Sequence, residues 1–286
     1  MAGVLERLRE PRPAIPGSPR FGADWLALRE PADTAARSAE LLEPLRAHLA
    51  GKSRLVVRDL GCGTGSQGRW LSPRLGGKQR WVLHDRDPEL LGRAVASLVA
   101  HGVTVETSEG DLTELRAADL EGTSLVTASA LLDLLTFDEV EALATACAEA
   151  GVPALFTLSV VGRVSFSPSD SLDAEFAAAF NAHQRRRAGG RRLLGPDAVA
   201  AATETFSRRG AVVRTASSPW RLGPGDPALI REWLRGWVGA AGVQRPDLAP
   251  HAEGYLRRHL DANAAGGLRV VVQHSDLLAI PAGMES

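Results

Sequence analysis

A strand-like run that leads into three alternating glycines is the feature that most constrains the fold of this chain. Residues 54–71 read RLVVRDLGCGTGSQGRWL, in which Asp59 closes the apolar run and Gly61, Gly63 and Gly65 follow. Glycines let the main chain turn sharply and approach a ligand closely, and a helix that begins next presents free N–H groups. The pattern therefore predicts a strand, a binding loop and a helix, in that order.

Strands and helices alternate through the first half of the chain. We predict strands at 54–60, 80–85, 103–107, 122–128 and 153–160, and helices at 66–74, 87–101 and 137–149. Short connections between alternating strands and helices are typical of a parallel sheet with helices on both faces. The chain is therefore predicted to have an α/β fold with a mostly parallel sheet.

The pattern changes beyond Val160. A loop, GRVSFSPSD, is predicted to precede helices at 172–187 and 196–209, a strand at 211–217, helices near 227–241 and 247–263, and a last strand at 268–273. Residues 1–50 are predicted as an N-terminal tail and helical cover. Residues 51–286 are predicted as one domain, with a helical segment at 163–192 and a helical insertion at about 222–265. The last two strands are expected to form an antiparallel edge of the sheet.

Charge and composition narrow the classes of protein to consider. The formal net charge of the 286 residues is −1, so the large basic excess that is typical of nucleic-acid binding is missing. The two cysteines, Cys62 and Cys147, make no disulfide or zinc pattern, which favours a reducing, cytoplasmic setting and no metal site. No segment approaches the ~20 apolar residues of a membrane span, and the N-terminus lacks the apolar stretch of a secretory signal. We expect a cytoplasmic protein without a membrane or nucleic-acid partner, and nothing in the sequence indicates an oligomeric state.

An acidic residue further along the chain supports a nucleotide-like ligand at the glycine loop. Asp85 lies 20 residues beyond Gly65, at the end of the strand-like segment RWVLHD. A carboxylate at the end of the second strand can accept hydrogen bonds from both hydroxyls of a ribose. The dinucleotide fingerprint G-x-G-x-x-G would need a glycine at position 66, where this chain has Ser66. The two features indicate an adenosine-type cofactor and disfavour a dinucleotide.

The spacing D-x-G-x-G-x-G that begins at Asp59 resembles motif I of the class I S-adenosylmethionine-dependent methyltransferases. Other segments are similar to that family in the same order, namely HDRDPELL (84–91), EGDL (109–112), LVTASALLDLL (125–135) and GPDAVAAATETFSRRG (195–210). The resemblance covers about residues 50–220 and the last strand. It implies a Rossmann-like, mostly parallel seven-stranded sheet with helices on both faces and an antiparallel last strand.

The resemblance also implies which residues contact the cofactor, S-adenosylmethionine. Asp59 would orient its amino-acid end, Asp85 would bind the ribose and Asp111 the adenine. Arg29 and Arg37 are candidates for the cofactor carboxylate if the N-terminal helices fold over the site, and are otherwise surface arginines. The predicted cofactor-binding residues are Asp59, Gly61, Cys62, Gly63, Gly65, Asp85, Arg86, Asp111, Leu112, Ser129 and Arg37.

Candidates for the acceptor side follow from topology, because ligands of open α/β sheets lie beyond the carboxyl ends of the strands. This rule places Ser129, Asp133, Ser159 and Arg163 near the mouth of the pocket. His183 shares a face of the following helix with apolar residues, so it either enters the pocket or packs in the core. Asp133 and His183 are the two candidate catalytic residues, and Asp133 is alternatively a helix cap or a solvent-facing side chain.

The predicted function is methyl transfer from S-adenosylmethionine to a small-molecule acceptor by in-line displacement, which leaves S-adenosylhomocysteine. An RNA methyltransferase and a non-catalytic subunit that binds the cofactor are the alternatives, and a nicotinamide-dependent redox enzyme is a weaker one. The segment HQRRRAGGRR contains five arginines between 185 and 192, which form either a solvated face or a site for an anionic acceptor.

Overall fold

The computed structural model describes residues 21–110, 112 and 115–282. Its first half consists of α1 (Ala23–Ala36), α2 (Leu42–Leu49), β1 (Arg54–Leu60), α3 (Ser66–Leu75), β2 (Lys78–Asp85), α4 (Pro88–Ala100), β3 (Thr104–Glu109), β4 (Leu125–Ser129), α5 (Phe137–Ala150) and β5 (Ala154–Ser167). Its second half consists of α6 (Asp173–Gln184), β6 (Arg187–Ala188), β7 (Arg191–Arg192), α7 (Ala198–Arg208), β8 (Ala211–Ser217), β9 (Trp220–Leu222), α8 (Pro227–Gln244), α9 (Ala249–Ala264) and β10 (Arg269–Pro281).

Seven strands form the main sheet in the order β3-β2-β1-β4-β5-β10-β8, and the short β9 pairs with the start of β10. The neighbouring pairs among β1 to β5 are parallel, whereas β10 is antiparallel to both β5 and β8. The Rossmann-like, mostly parallel sheet with an antiparallel last strand is thus confirmed. In this order β1 lies near the middle of the sheet, so the glycine loop that follows it is flanked by β2 and β4.

Helices cover both faces of the sheet, and each face has its own apolar core. On one face Val57, Trp81 and Leu83 pack beneath α2, α3 and α4, and all three are fully buried. On the other face Val126 and Phe156 pack beneath α5 and α7. Apolar side chains that leave a parallel strand in both directions are what a sheet covered on two sides requires.

Two helices begin where local sequence signals place them. Asp87 caps α4 by accepting bonds from the N–H groups of Glu89 and Leu90, with Pro88 in the first turn. Thr136 and Glu139 form a capping box at the start of α5. Side chains that bind the free N–H groups of a first turn stabilise a helix by about 1 kcal/mol.

A third apolar core joins the helical insertion and α6 to the second half of β5 and the first half of β10. Phe176 and Tyr255 stack with ring centroids 4.2 Å apart, and Trp233 and Trp237 lie 5.5 Å apart, as their helical spacing predicts. Trp237 is buried, and Phe166 of β5 lies 5.4 Å from its ring. The insertion is therefore anchored by aromatic packing on the same sheet, and α8 and α9 lie within the predicted bounds of 222–265.

Two predictions for the segment after Val160 are wrong. The predicted loop GRVSFSPSD is mostly strand, because β5 continues to Ser167 and pairs with β10 as far as Arg269. The segment 163–192 is consequently not helical throughout, since it holds the end of β5, helix α6 and the β6–β7 hairpin. At two register shifts β5 has more residues than the facing part of β10, and Gly162, with φ of +71°, lies at one of them, so β5 lacks the regular alternation by which a strand is recognised in sequence. The last strand is also longer than predicted, at Arg269–Pro281.

Candidate active site

The glycine loop is held in a conformation that only glycine adopts easily. Gly61, Gly63 and Gly65 have φ of +61°, +53° and +86°, all in the left-handed region. A Cβ at Gly65 would lie 2.9 Å from the side chain of Leu98 and 3.2 Å from the main chain of Ala94. Helix α4 therefore approaches the loop so closely that Gly65 is needed for packing as well as for the turn.

Two leucines line the other side of the loop. A Cβ at Gly61 would lie 3.2 Å from Leu131, which follows β4, and a Cβ at Gly63 would lie 3.1 Å from Leu26 of α1. The glycine loop is thus contacted by two apolar side chains, one of which belongs to the N-terminal cover. Sequence reasoning missed both leucines, because each is distant from the loop along the chain.

Asp85 points at the glycine loop from the end of β2. One carboxylate oxygen accepts a bond from the N–H of Gly63 at 2.8 Å, and the other accepts one from the N–H of Asp87 at 3.0 Å. A carboxylate has about four acceptor positions, so two remain for hydroxyl groups of a ligand. Arg86 follows it and is half-buried. The structure thus places this acid beside the loop, as predicted from the spacing.

Cys62 is a packing residue of the loop. It is buried, and its N–H donates to the carbonyl of His84 at 3.0 Å. Burial, with a smaller contribution from Asp59 and Asp85, raises the pKa of its thiol well above the ordinary range. The thiol is therefore neutral and is not a nucleophile.

Asp59 is a buried carboxyl group with no hydrogen bond. It is 1% exposed, and neither oxygen has a partner among the residues that the structure describes. Burial raises its pKa to about 8; Arg37 opposes this shift and Asp85 adds to it. Burying a carboxyl group without a partner is costly. A ligand that brings a positively charged donor to this position would therefore be bound favourably.

Arg37 brings a positive charge to the same place from the N-terminal cover. It follows α1, is 5% exposed, and donates to the hydroxyls of Ser66 at 2.7 Å and Ser129 at 3.2 Å. Its Nε and one terminal nitrogen have no partner within the described part of the chain. Burial lowers the pKa of Arg37 to about 10, so it stays charged at neutral pH. The guanidinium also lies over the ring of Trp70, 5.7 Å from its centroid.

Arg29, the other candidate for the cofactor carboxylate, is engaged elsewhere. It forms an ion pair with Asp33 one turn further along α1, at 2.9 Å, and lies 5.0 Å above the ring of Trp220. Trp220 in turn donates to Asp33 at 2.9 Å. These contacts fix α1 against β9, so Arg29 holds the cover in place while Arg37 reaches the loop.

The adenine side of the predicted site is only partly described. Asp111 lies outside the described residues. Leu112 is partly buried and packs against the core beneath α5 and α7. The segment before them is set by β3, whose neighbour Gly110 donates its N–H to the carbonyl of Asp85 at 3.2 Å.

Asp133 and His183 approach the same arginine on the acceptor side. Asp133 lies in a short 3₁₀ turn after β4, Leu132–Leu134, and burial raises its pKa to about 6, while its own N–H, Arg29 and Arg186 oppose this shift. His183 lies on α6, where burial and then Arg186 lower its pKa. The two side chains do not bond to each other in the described structure, but both lie in the field of Arg186.

The main chain is strained directly after β4 and inside β5. Ala130 and Leu158 have φ of +50° and +57°, which side chains other than glycine rarely adopt. Ser159 follows Leu158, is 1% exposed, and has a hydroxyl without a hydrogen-bond partner among the described residues. Arg163, further along β5, is exposed.

Most of the arginine run is neutralised or solvated. Arg185 pairs with Asp197 at 2.6 Å, and Arg191 pairs with Glu139 at 2.6 Å. The remaining three differ in burial, since Arg187 and Arg192 are exposed and Arg186 is half-buried. The described residues contain no group of three or more His, Cys, Asp or Glu that is placed to hold a metal ion, and no helix that is long and apolar enough to cross a membrane.

Comparison with known proteins gives one family match and many distant structures. Residues 57–153 match the family model for a methyltransferase domain. One similar solved structure is the cyclopropane synthase MmaA2 from Mycobacterium tuberculosis, with 13% identity, coverage of 91% of this chain and 94% of that chain, and a TM-score of 0.49. A second is YcgJ from Bacillus subtilis, with 13% identity, coverage of 86% and 100%, and a TM-score of 0.47. A third is phosphoethanolamine N-methyltransferase 2 from Haemonchus contortus, with 12% identity, coverage of 90% and 57%, and a TM-score of 0.44. All three TM-scores are below 0.5, so these structures are only distantly similar to this chain. No curated protein matches the chain.

Proposed function

We propose that the chain is an S-adenosylmethionine-dependent methyltransferase that acts on a small-molecule acceptor, because residues 57–153 match a methyltransferase domain and the glycine loop offers a site for the cofactor. The single observation that supports the site assignment is the pair of buried ionisable groups with unused hydrogen-bonding atoms, Asp59 and Arg37, beside the glycine loop.

Asp59 and Arg37 complement the amino-acid end of the cofactor, which carries an ammonium and a carboxylate group. Among the described residues, Asp59 receives no hydrogen bond and can ionise by giving up its proton when an ammonium group binds, and Arg37 has two nitrogens without a partner. Asp85 retains acceptor capacity for the ribose hydroxyls beside Gly63. The residues of the chain therefore fit the cofactor at both its charged end and its sugar.

The protein is proposed to contribute by orienting the cofactor and the acceptor and by excluding water from the site. When bound, S-adenosylmethionine would supply an electrophilic methyl group for in-line transfer to an acceptor, with S-adenosylhomocysteine as the other product. Orientation and removal of water can supply several kcal/mol of such a barrier. Leu26 and Leu131 lie against the glycine loop, and Arg37 and Asp59 are only 5% and 1% exposed, so little water reaches the groups proposed to bind the amino-acid end of the cofactor.

We assign Asp133 as the group that takes a proton from the acceptor. It follows β4 in the same short segment as Ser129, beyond the carboxyl end of the sheet. Its pKa of about 6 leaves it mostly ionised at neutral pH and close to the value that suits a general base. His183 is the second candidate, and its lowered pKa keeps it neutral and able to accept a proton.

Several features support a small acceptor over RNA. Arg185 and Arg191 are paired with acids, so the arginine run offers no continuous basic surface in the described part of the chain. Helix α1 contacts both the glycine loop, through Leu26, and helix α8 of the insertion, so both elements lie near the proposed site. A cytoplasmic location, without a membrane or nucleic-acid partner, stays a prediction.

Two measurements test this proposal. Titration calorimetry with S-adenosylhomocysteine should show binding to the wild type and weaker binding to Arg37→Ala and Asp59→Asn by about 1.5–3 kcal/mol, the value of a hydrogen bond to a charged group. Arg187→Ala, an exposed member of the arginine run, is the matched control and should bind as the wild type does.

The acceptor class is tested with cofactor that carries a labelled methyl group. The enzyme is incubated with a cell extract divided into a small-molecule filtrate and an RNA fraction. Label in the filtrate supports the proposal, and label only in RNA would replace it with the alternative. Cofactor binding without transfer to either fraction or to protein would indicate a non-catalytic subunit.

A further inference from the structure

Asp276 on β10 ties three distant parts of the chain together. It is 0% exposed, and its carboxylate accepts bonds from the N–H of Ser38 at 2.8 Å, the N–H of Leu158 at 2.8 Å and the hydroxyl of Ser218 at 2.5 Å. The Ser38 bond uses one oxygen, and the other two bonds share the second oxygen. The carboxylate is thus well satisfied by donors, as buried charge requires.

Two of these donors belong to segments that carry groups of the proposed site. Ser38 follows Arg37 directly, in the connection between α1 and α2. Leu158 has φ of +57° and precedes Ser159, whose buried hydroxyl has no partner among the described residues. One carboxylate therefore fixes both the connection between α1 and α2 that carries Arg37, here called the strap, and the strained position at Leu158 inside β5.

We propose that Asp276 is a positioning residue of the cofactor site, which acts by holding Ser38 so that the guanidinium of Arg37 faces the glycine loop. The inference rests on the proposed binding of the cofactor at Arg37. Asp276 does not touch the cofactor in this proposal, since Arg37 and the main chain of Ser38 lie between them. Through this contact, strand β10 of the sheet determines the position of the long side chain of Arg37.

The chemistry of the site explains why an aspartate is required. All three neighbours of Asp276 donate, so both carboxylate oxygens must accept. In Asp276→Asn one oxygen becomes an amide NH₂ group, which is a donor. The remaining oxygen best serves Leu158 and Ser218, so the amide would face the N–H of Ser38, donor against donor. The substitution should release the strap without removing any apolar packing.

Calorimetric titration with S-adenosylhomocysteine measures the result without requiring an acceptor. Asp276→Asn should weaken binding about tenfold or more, the effect of losing a hydrogen bond to a charged group. Ser218→Ala is the matched control: it removes a bond to the other oxygen and leaves Ser38 in place, so its affinity should stay within about twofold of the wild type.

A double-mutant cycle separates positioning from a general loss of structure. If Asp276 acts through Arg37, the double variant with Arg37→Ala should bind no more weakly than Arg37→Ala alone. Additive losses, or an affinity of Asp276→Asn equal to that of the wild type, would overturn the inference. Wild-type protein that fails to bind S-adenosylhomocysteine would instead overturn the proposed function.

A second pair of variants keeps the test open if Asp276→Asn does not fold. Ser38→Pro, outside the sheet, removes the main-chain N–H that reaches Asp276 and the hydroxyl that accepts from the N–H of Glu40, and Ser38→Ala removes only that hydroxyl. Arg37 has ψ of 130°, which suits a residue before proline. Ser38→Ala keeps the N–H and is the control. Weaker binding by the proline variant alone supports the inference, and equal binding by both refutes it.

Discussion

Replacing Asp59 by asparagine should stabilise the protein and make its stability less dependent on pH. The pKa of Asp59 is about 8 in the fold against an ordinary 3.8, so the folded state binds more protons than the unfolded state between those values. The free energy of unfolding therefore falls as the pH rises through this window, and the loss is complete above about pH 8. The variant lacks this titration.

The structure sets an upper limit on the effect. At about pH 7 the gap from 3.8 is about three pKa units, which at about 1.4 kcal/mol per unit gives about 4 kcal/mol. The asparagine amide is itself buried without a partner, which costs free energy, so we expect a net gain of about 1–2 kcal/mol.

Urea unfolding of both proteins, followed by tryptophan fluorescence, measures this difference at several pH values. The advantage of Asp59→Asn should grow from about pH 5 to about pH 7 and level off above about pH 8. Other titrating groups are common to both proteins and cancel in the difference. An advantage that is constant with pH, or a variant that is less stable at every pH, would refute the reasoning about Asp59.

Three other predictions follow from the described site. At about pH 7, cofactor binding to the wild type should release close to one proton, because Asp59 is mostly protonated in the free protein and loses its proton when an ammonium group binds beside it. Calorimetry in buffers of different ionisation enthalpy should show this release, and Asp59→Asn should lack it. Gly65→Ala should lower the free energy of unfolding by about 2–4 kcal/mol more than Gly151→Ala, which is also left-handed but has open space at its Cβ, and equal losses in urea unfolding would contradict the packing argument. Asp133→Asn should slow turnover by about 10²-fold or more and remove the pH dependence near pH 6 without changing cofactor affinity; if only His183→Ala does so, the base is His183.

The sequence predicts best those parts of the fold that local interactions determine. The bounds of β1 at Arg54–Leu60 and of β8 at Ala211–Ser217 agree with the prediction, because an apolar run and flanking glycines define each one. The start of α4 agrees because Asp87 caps it within three residues. Glycine turns and helix caps depend on neighbours in sequence, so they can be predicted from a single sequence.

The remainder depends on contacts between distant residues. The second half of β5 reads as a loop because β10, more than 100 residues later, supplies its hydrogen bonds. Arg37 was a candidate only on the condition that the cover folds over the loop, and its bond to Ser129 spans 92 residues. Asp276 was missed altogether, although an acid between the apolar runs Val270–Val272 and Leu277–Ile280 of one strand is a signal that a buried partner exists.

The contrast between Asp59 and Asp276 shows how buried carboxyl groups of structural and binding roles can be told apart. Both are almost completely buried, but Asp276 accepts three hydrogen bonds and Asp59 accepts none among the described residues. A satisfied carboxylate stabilises the fold, whereas an unsatisfied one costs free energy that only a ligand can offset. The same change to asparagine should therefore act in opposite directions: Asp276→Asn should lower the free energy of unfolding by about 1–3 kcal/mol, and Asp59→Asn should raise it. Both should weaken cofactor binding, so stability and affinity move together at position 276 and apart at position 59. Urea unfolding and calorimetry on the two variants would show the opposite changes in stability and the shared loss of affinity. A loss of stability in both variants would show that Asp59 is a structural residue.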